Sequence, residues 1–208
     1  ANAALAVFET EARNVGISYG LKALTDLPVE AAATVGASAR LYDLTIVLQP
    51  EADRDTYDNT LPQEILFESG GPVLFIPTTH KGPLELKRIG IAWDGSRLAA
   101  RAVRDAAPFL AQAQAVTIVS INEPEVPADA SAAGLAAHLA RHGLTAQIER
   151  ANADRADVQP TLLSIAADTG LDLIVMGAYG HSRLQERFLG GVTRDMLQAM
   201  TVPTLMSH

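Results

Sequence analysis

Apolar and amphipathic stretches alternate regularly along the second half of the chain. Five stretches of the length of a strand are either continuously apolar or alternate between apolar and polar residues. They predict strands at 88–93, 115–121, 144–149, 171–176 and 202–207. Stretches with the 3.6-residue period of helices lie between them, near 97–112, 130–142, 158–168 and 192–200. Strands that alternate with helices predict an α/β fold with a doubly wound, parallel, five-stranded sheet. In such a sheet, ligands bind outside the carboxyl ends of the strands, so site residues are expected after residues 93, 121 and 176.

The first half repeats the second half incompletely. Three segments of the first half, FETEARNVG (8–16), YDLTIV (42–47) and GGPVLFIP (70–77), match 135–143, 171–176 and 201–208 at offsets of 127, 129 and 131. These nearly constant offsets predict a tandem duplication, with a degenerate domain at 1–82 and a complete one at 87–208.

The repeat also shows what the first copy lacks. The second copy has 57 residues from Lys87 to Gly143, whereas the first has only 16 up to Gly16. The first copy therefore lacks its first strand, first helix and second strand, and we expect the natural chain to be about 40 residues longer. A sheet without its central strand is expected to leave apolar faces and edges uncovered.

Composition and charge narrow the classes of function. The chain has 208 residues, of which 48% are hydrophobic and 19% charged, as in a globular protein. Its net charge of −8 disfavours general nucleic-acid binding. The second half is nearly neutral, with 12 acidic and 11 basic side chains against 12 and 5 in the first 86 residues, so an anionic ligand is expected in the second half.

Other classes are excluded by what the sequence does not contain. The absence of cysteine excludes disulfides, thiolate metal sites and a cysteine nucleophile. No apolar stretch approaches the ~20 residues that a membrane span requires. The first residues lack the basic segment of a signal peptide, so we expect a cytoplasmic protein with no membrane partner.

The glycine-rich segment 177–193 carries the most specific chemical signal. Gly177 ends a predicted buried strand, where the missing side chain allows a ligand or a turn to approach the backbone. Gly190 and Gly191 precede Val192 and Thr193 at the start of a predicted helix, whose first amides and positive dipole end suit a phosphate. Three arginines, Arg183, Arg187 and Arg194, add positive charge nearby. The alternative is that the glycines make only a tight turn and a helix cap.

The spacing in this segment resembles a known nucleotide-binding signature. Gly177, Gly180 and Gly190 fit the G-x-x-G, nine residues, G, then Ser or Thr pattern of the universal stress protein family, although Gly191 stands where Ser or Thr is expected. The resemblance extends to IAWDGS at the first strand and to the closing VPTLMSH. It implies a Rossmann-like fold of the adenine nucleotide alpha hydrolase type, with strand order 3-2-1-4-5 in each of two tandem copies.

The resemblance implies an adenine nucleotide, ATP with or without Mg²⁺, in the second half. Asp94 would lie beside the adenosine, and the backbone of Ala92 would flank the adenine. The whole implied site is Ala92, Asp94, Met176, Gly177, Gly180, His181, Gly190, Gly191, Val192 and Thr193. Glycine at 191 removes a hydroxyl contact that contributes roughly 0.5–1.5 kcal/mol, so binding is expected to weaken but to persist. The alternative for Asp94 is a turn residue that caps the following helix.

The resemblance leaves several functions open. A regulatory, ATP-binding stress-response protein is the first, and a nucleotide-free dimeric scaffold is the second. A slow ATPase, with Mg²⁺ held by Asp94 or Asp195, is a third that lacks an evident general base. The family also implies assembly through the last strands, either between 72–77 and 202–207 within one chain or between two chains. The first copy has Leu48 in place of Gly177 and acidic residues over 49–60, so it is expected to be a structural partner.

Two further patterns are weaker. Gly180-His181-Ser182 resembles a hydrolase nucleophile elbow, but Leu184 replaces its last glycine and the serine lies beyond the strand tip. His138 and His142 have the i, i+4 spacing of metal ligands, although a solvated helix face explains them better.

Overall fold

The strands form one continuous, mostly parallel sheet. The computed structural model describes residues 2–25, 27–50, 61–123, 125–179 and 191–208. Its strands are β1 (Thr45–Leu48), β2 (Val73–Ile76), β3 (Arg88–Ala92), β4 (Ala115–Ile121), β5 (Ala146–Ala151), β6 (Leu173–Gly177) and β7 (Thr204–Ser207). Their order across the sheet is β1-β2-β7-β6-β3-β4-β5.

The second half has the predicted strand order. Strands β5-β4-β3-β6-β7 are all parallel and correspond to the order 3-2-1-4-5. The strand predicted at 171–176 begins at Leu173. Just before it, the Asp172 carboxylate accepts hydrogen bonds from the backbone N–H groups of Lys87 and Arg88. This side chain therefore joins the amino ends of β6 and β3.

The first half does not form a separate five-stranded sheet. It adds β1 and β2, parallel to each other, to the sheet of the second half. β2 pairs antiparallel with β7, with Val73 opposite Met206 and Phe75 opposite Thr204. The pairing expected within the chain between 72–77 and 202–207 is therefore present, while the division into two tandem domains stays a prediction.

Helices lie on both faces of the sheet. They are α1 (Asn2–Asn14), α2 (Pro28–Ala39), α3 (Leu61–Glu68), α4 (Arg97–Asp105), α5 (Ala107–Leu110), α6 (Ala132–Arg141), α7 (Val158–Thr169) and α8 (Val192–Ala199). The helix predicted over 97–112 is broken after Asp105 because Pro108, near the start of α5, has no N–H to continue the hydrogen-bond ladder. Ser96 and Ser131 cap α4 and α6, their hydroxyl groups accepting from Ala99 N and Gly134 N.

The core consists of two apolar clusters, one on each face. One contains buried residues of α4 and α6, such as Ala102 and Leu139, and the other contains residues of α3, α7 and α8, such as Leu66 and Met196. Large apolar side chains remain exposed in the first half, namely Val7, Phe8, Val15, Ile17, Leu21, Leu24, Leu27, Leu41, Tyr42, Ile46 and Leu48. In the described part of the chain, no helix is long and apolar enough to cross a membrane.

Candidate functional site

A cavity of about 340 Å³ opens at the carboxyl ends of β3, β4 and β6. β3 lies between β4 and β6, and the chain crosses to opposite sides of it, so the cavity is at the point where the strand order reverses. Its volume lies within the range of small-molecule sites, roughly 300–1,000 Å³. The topology alone predicted this position.

The structure brings most of the implied site residues to this cavity. Those that line it are Ala92, Asp94, Met176, Gly177, Gly191, Val192 and Thr193. The other three, Gly180, His181 and Gly190, lie outside the described residues, as do Ser182 and Leu184 of the nucleophile-elbow pattern. Seven residues from two distant segments of the chain therefore meet at one place.

Asp94 shapes the turn between β3 and α4 and also faces the cavity. Its Oδ1 atom accepts a hydrogen bond of 2.9 Å from the backbone N–H of Ser96. Gly95, between them, has a φ of 72°, which favours glycine. Asp94 therefore stabilises this turn, as the alternative interpretation stated. The turn uses only one oxygen of its exposed carboxylate.

Trp93 forms part of the cavity wall, although the sequence pattern did not single it out. Its side chain is only 9% exposed, and its Nε1–H donates to Ala130 O at 2.9 Å. Ala130 belongs to the loop between β4 and α6. A tryptophan directly before Asp94, and the only one in the sequence, was the signal that could have identified it.

A glycine is required at position 177 because the backbone of helix α4 packs closely against it. A Cβ atom at this position would lie 2.6 Å from Ala99 N and 2.7 Å from Leu98 C, both backbone atoms of α4. Such distances are far below van der Waals contact. The close approach inferred from the sequence is therefore made by the first turn of α4.

The amino end of α8 presents backbone amides rather than a capping side chain. Gly191 is the N-cap residue, with φ −115° and ψ 142°, and makes no side-chain cap hydrogen bond. The first amides of a helix have no acceptor within it, so they are available to an anion. The Thr193 hydroxyl is buried and accepts a hydrogen bond of 3.0 Å from Tyr179 N, so its oxygen already supports the loop after β6.

Apolar side chains and an arginine also line the cavity among the described residues. The apolar wall consists of Val119 and Ile121 at the end of β4 and Val158 and Leu162 on α7. Arg155, just before α7, is exposed and lines the same space. Strand alternation identifies buried faces but not which residues border a cavity, so these five were not predicted individually.

A carboxylate outside the cavity holds the loop that supports Trp93. Glu123 accepts a hydrogen bond of 2.6 Å from Arg150 Nε and a longer one of 3.3 Å from Ala132 N. The hydrogen bond from Arg150 lowers the pKa of Glu123 below its ordinary value of 4.5. This pair fixes the start of the loop that carries Ala130.

The first half contacts helix α8, whose amino end borders the cavity. Gln49 is buried, its amide donating to Gln198 O at the end of α8 and accepting from Thr78 N. The acidic segment over 51–60 lies outside the described residues.

The rings of His138 and His142 lie with their centroids 4.8 Å apart and their planes tilted by 57°. No third metal-ligating side chain joins them among the residues that the structure describes.

Comparisons with known proteins agree with this architecture. A family model described as the universal stress protein family matches residues 85–208. A curated universal stress protein of Methanocaldococcus jannaschii is 38% identical over 45 residues, which make up 22% of this chain and 28% of that protein. The chain thus matches less than a third of the length of this relative.

Two solved structures resemble the whole chain. A universal stress protein from Archaeoglobus fulgidus has a TM-score of 0.74 at 14% identity, over 99% of this chain and 75% of that one. A protein of unknown function from Pseudomonas aeruginosa has a TM-score of 0.66 at 20% identity, over 99% and 77%. At such identities these likenesses describe the fold alone.

Proposed function

Because the chain belongs to the universal stress protein family, whose model matches its second half, we propose that it is a stress-response regulator that binds an adenine nucleotide in the cavity described above. ATP is the nucleotide proposed, with Mg²⁺ as its counterion. The observation that carries the proposal is the meeting of seven of the ten residues that the family resemblance implies for the site, around one cavity at the strand-order switch point.

The lining of the cavity suits the two parts of a nucleotide. The wall of Val119, Ile121, Val158 and Leu162 offers apolar contact to a flat base. The first backbone amides of α8 suit phosphate oxygens, because they are donors at the positive end of a helix dipole. In this arrangement Asp94 retains one carboxylate oxygen for a ribose hydroxyl.

The proposal is tested by titrating the protein with ATP and Mg²⁺. Trp93 is the only tryptophan and lines the cavity, so its fluorescence is expected to change on binding, with the heat of binding as a second measurement. Val158→Phe, which places a larger ring at the apolar wall, is expected to weaken binding at least about fivefold, since overpacking costs typically 1–3 kcal/mol. Thr161→Phe is the control, because Thr161 lies on the same helix but borders a separate polar depression.

A nucleotide-free scaffold is the second candidate, favoured by the exposed apolar side chains of the first half. A scaffold is expected to show no change in Trp93 fluorescence and no heat of binding when ATP is added. Light scattering is expected to show that the chains associate. A slow ATPase would release phosphate in proportion to time. Asp195, considered as a ligand for Mg²⁺, lies 3.7 Å from Arg194 Nε and is absent from the described cavity lining.

A further inference from the structure

A contact between the two halves of the chain lies directly behind the cavity. The ring of Phe67, on α3 of the first half, packs against the ring of Tyr179 with the centroids 4.6 Å apart. The Phe67 ring also meets the ring of His208 edge-on at 4.7 Å. Tyr179 lines the cavity, so Phe67 is one contact away from the space assigned to the nucleotide.

Tyr179 has a backbone conformation that requires support from its surroundings. Its φ of 55° lies in the left-handed region, which residues with a Cβ atom occupy only when neighbouring groups hold them there. The preceding residue, Ala178, is held by β7, because its N–H donates to Ser207 O at 2.9 Å and its carbonyl accepts from His208 Nδ1 at 3.0 Å. The Tyr179 N–H donates to Thr193 Oγ1 at 3.0 Å.

We infer that Phe67 is a positioning residue of the cavity and acts through Tyr179. The Phe67 ring fixes the Tyr179 ring, and the Tyr179 N–H fixes the hydroxyl of Thr193, the second residue of α8. Without the Phe67 ring, Tyr179 has room to leave its left-handed conformation and to turn into the cavity. Phe67 therefore shapes the site in the second half although it does not itself line the cavity.

Phe67→Ala tests this inference by two measurements. One is hydrogen exchange of the Tyr179 amide, resolved by NMR in the absence of nucleotide, which is expected to become about tenfold faster as its hydrogen bond is lost. The other is the affinity for ATP with Mg²⁺, reported by Trp93, which is expected to fall about 3- to 10-fold, the effect of one aromatic pair. The central-strand amides of Ile91 and Ile118 are expected to keep their protection, which shows that the sheet is intact.

Three further variants make the test specific. Phe67→Leu keeps the interface apolar but removes the ring, so it is expected to behave like Phe67→Ala. Phe67→Tyr keeps the ring, so its exchange rate at Tyr179 and its affinity for ATP are expected to match those of the unaltered protein. Phe8→Ala, which removes an exposed ring of α1 in the same half, is the matched control and is expected to change neither.

The two measurements separate this inference from the proposed function, on which its affinity component rests. If the unaltered protein binds no ATP while Phe67→Ala and Phe67→Leu accelerate exchange at Tyr179, the proposed function fails and the positioning role stands. Unchanged exchange at Tyr179 in both variants overturns the positioning role, whatever the protein binds.

Discussion

At the scale of single residues, the absence of a side chain at Gly191 bears on both the fold and the site. Its φ and ψ are those of an ordinary N-cap residue, so a serine fits there without strain. Gly191→Ser is expected to stabilise the protein by only a few tenths of a kcal/mol. Affinity for ATP is expected to rise about 2- to 10-fold, because the added hydroxyl contributes roughly 0.5–1.5 kcal/mol. Calorimetric titration checks the affinity, and equal affinities of the two proteins would contradict the proposed phosphate position.

Gly177 gives a prediction about stability rather than binding. Gly177→Ala places a methyl group against the backbone of α4, so it is expected to destabilise the fold by about 1–3 kcal/mol as the helix is pushed away. Urea unfolding measures this change. Gly20→Ala is the control, because nothing lies within 4 Å of a Cβ atom there, and its expected effect is neutral or slightly stabilising.

At the scale of elements, the loop between β4 and α6 depends on one ion pair. Because the folded-state pKa of Glu123 lies below its ordinary value of 4.5, the pair stabilises the protein above that value, and this contribution is lost as the pH falls through the folded-state pKa. Glu123→Gln is therefore expected to unfold more easily than the unaltered protein at pH 7, and the difference should vanish in acid. Urea unfolding from pH 7 to 3 measures this convergence, with the exposed Glu149→Gln as control.

Elements were predicted well wherever local patterns determine them. The strands in 88–207 and their parallel arrangement followed from alternation, whereas their order was implied by the family resemblance. Ser96 was recognised as a cap because capping depends on neighbouring residues. The break before α5 was missed, since the period of apolar residues continues across Pro108. The cavity wall from β4 and α7 was missed as well, because it arises only when distant elements pack together.

At the scale of the whole molecule, the two halves share one sheet and one site environment. Arg101 on α4 donates to the carbonyl oxygens of His208 and Gly70, so the second half also holds the loop before β2. The family resemblance implied that β2 and β7 would pair, within one chain or between two, but not that Phe67 would reach Tyr179. Contacts of this kind depend on the packing angle of α3 on the sheet, which no local pattern specifies.

The position of β7 between β2 and β6 has a consequence for the order in which the protein folds during synthesis. β2 leaves the ribosome long before its partner β7, and the pairing of Val73 with Met206 closes a very long loop. Until β7 arrives, the edge of β2 that it will occupy has no partner strand. Because an unpaired strand edge can pair with another chain, the nascent first half is open to wrong pairing until β7 joins the sheet.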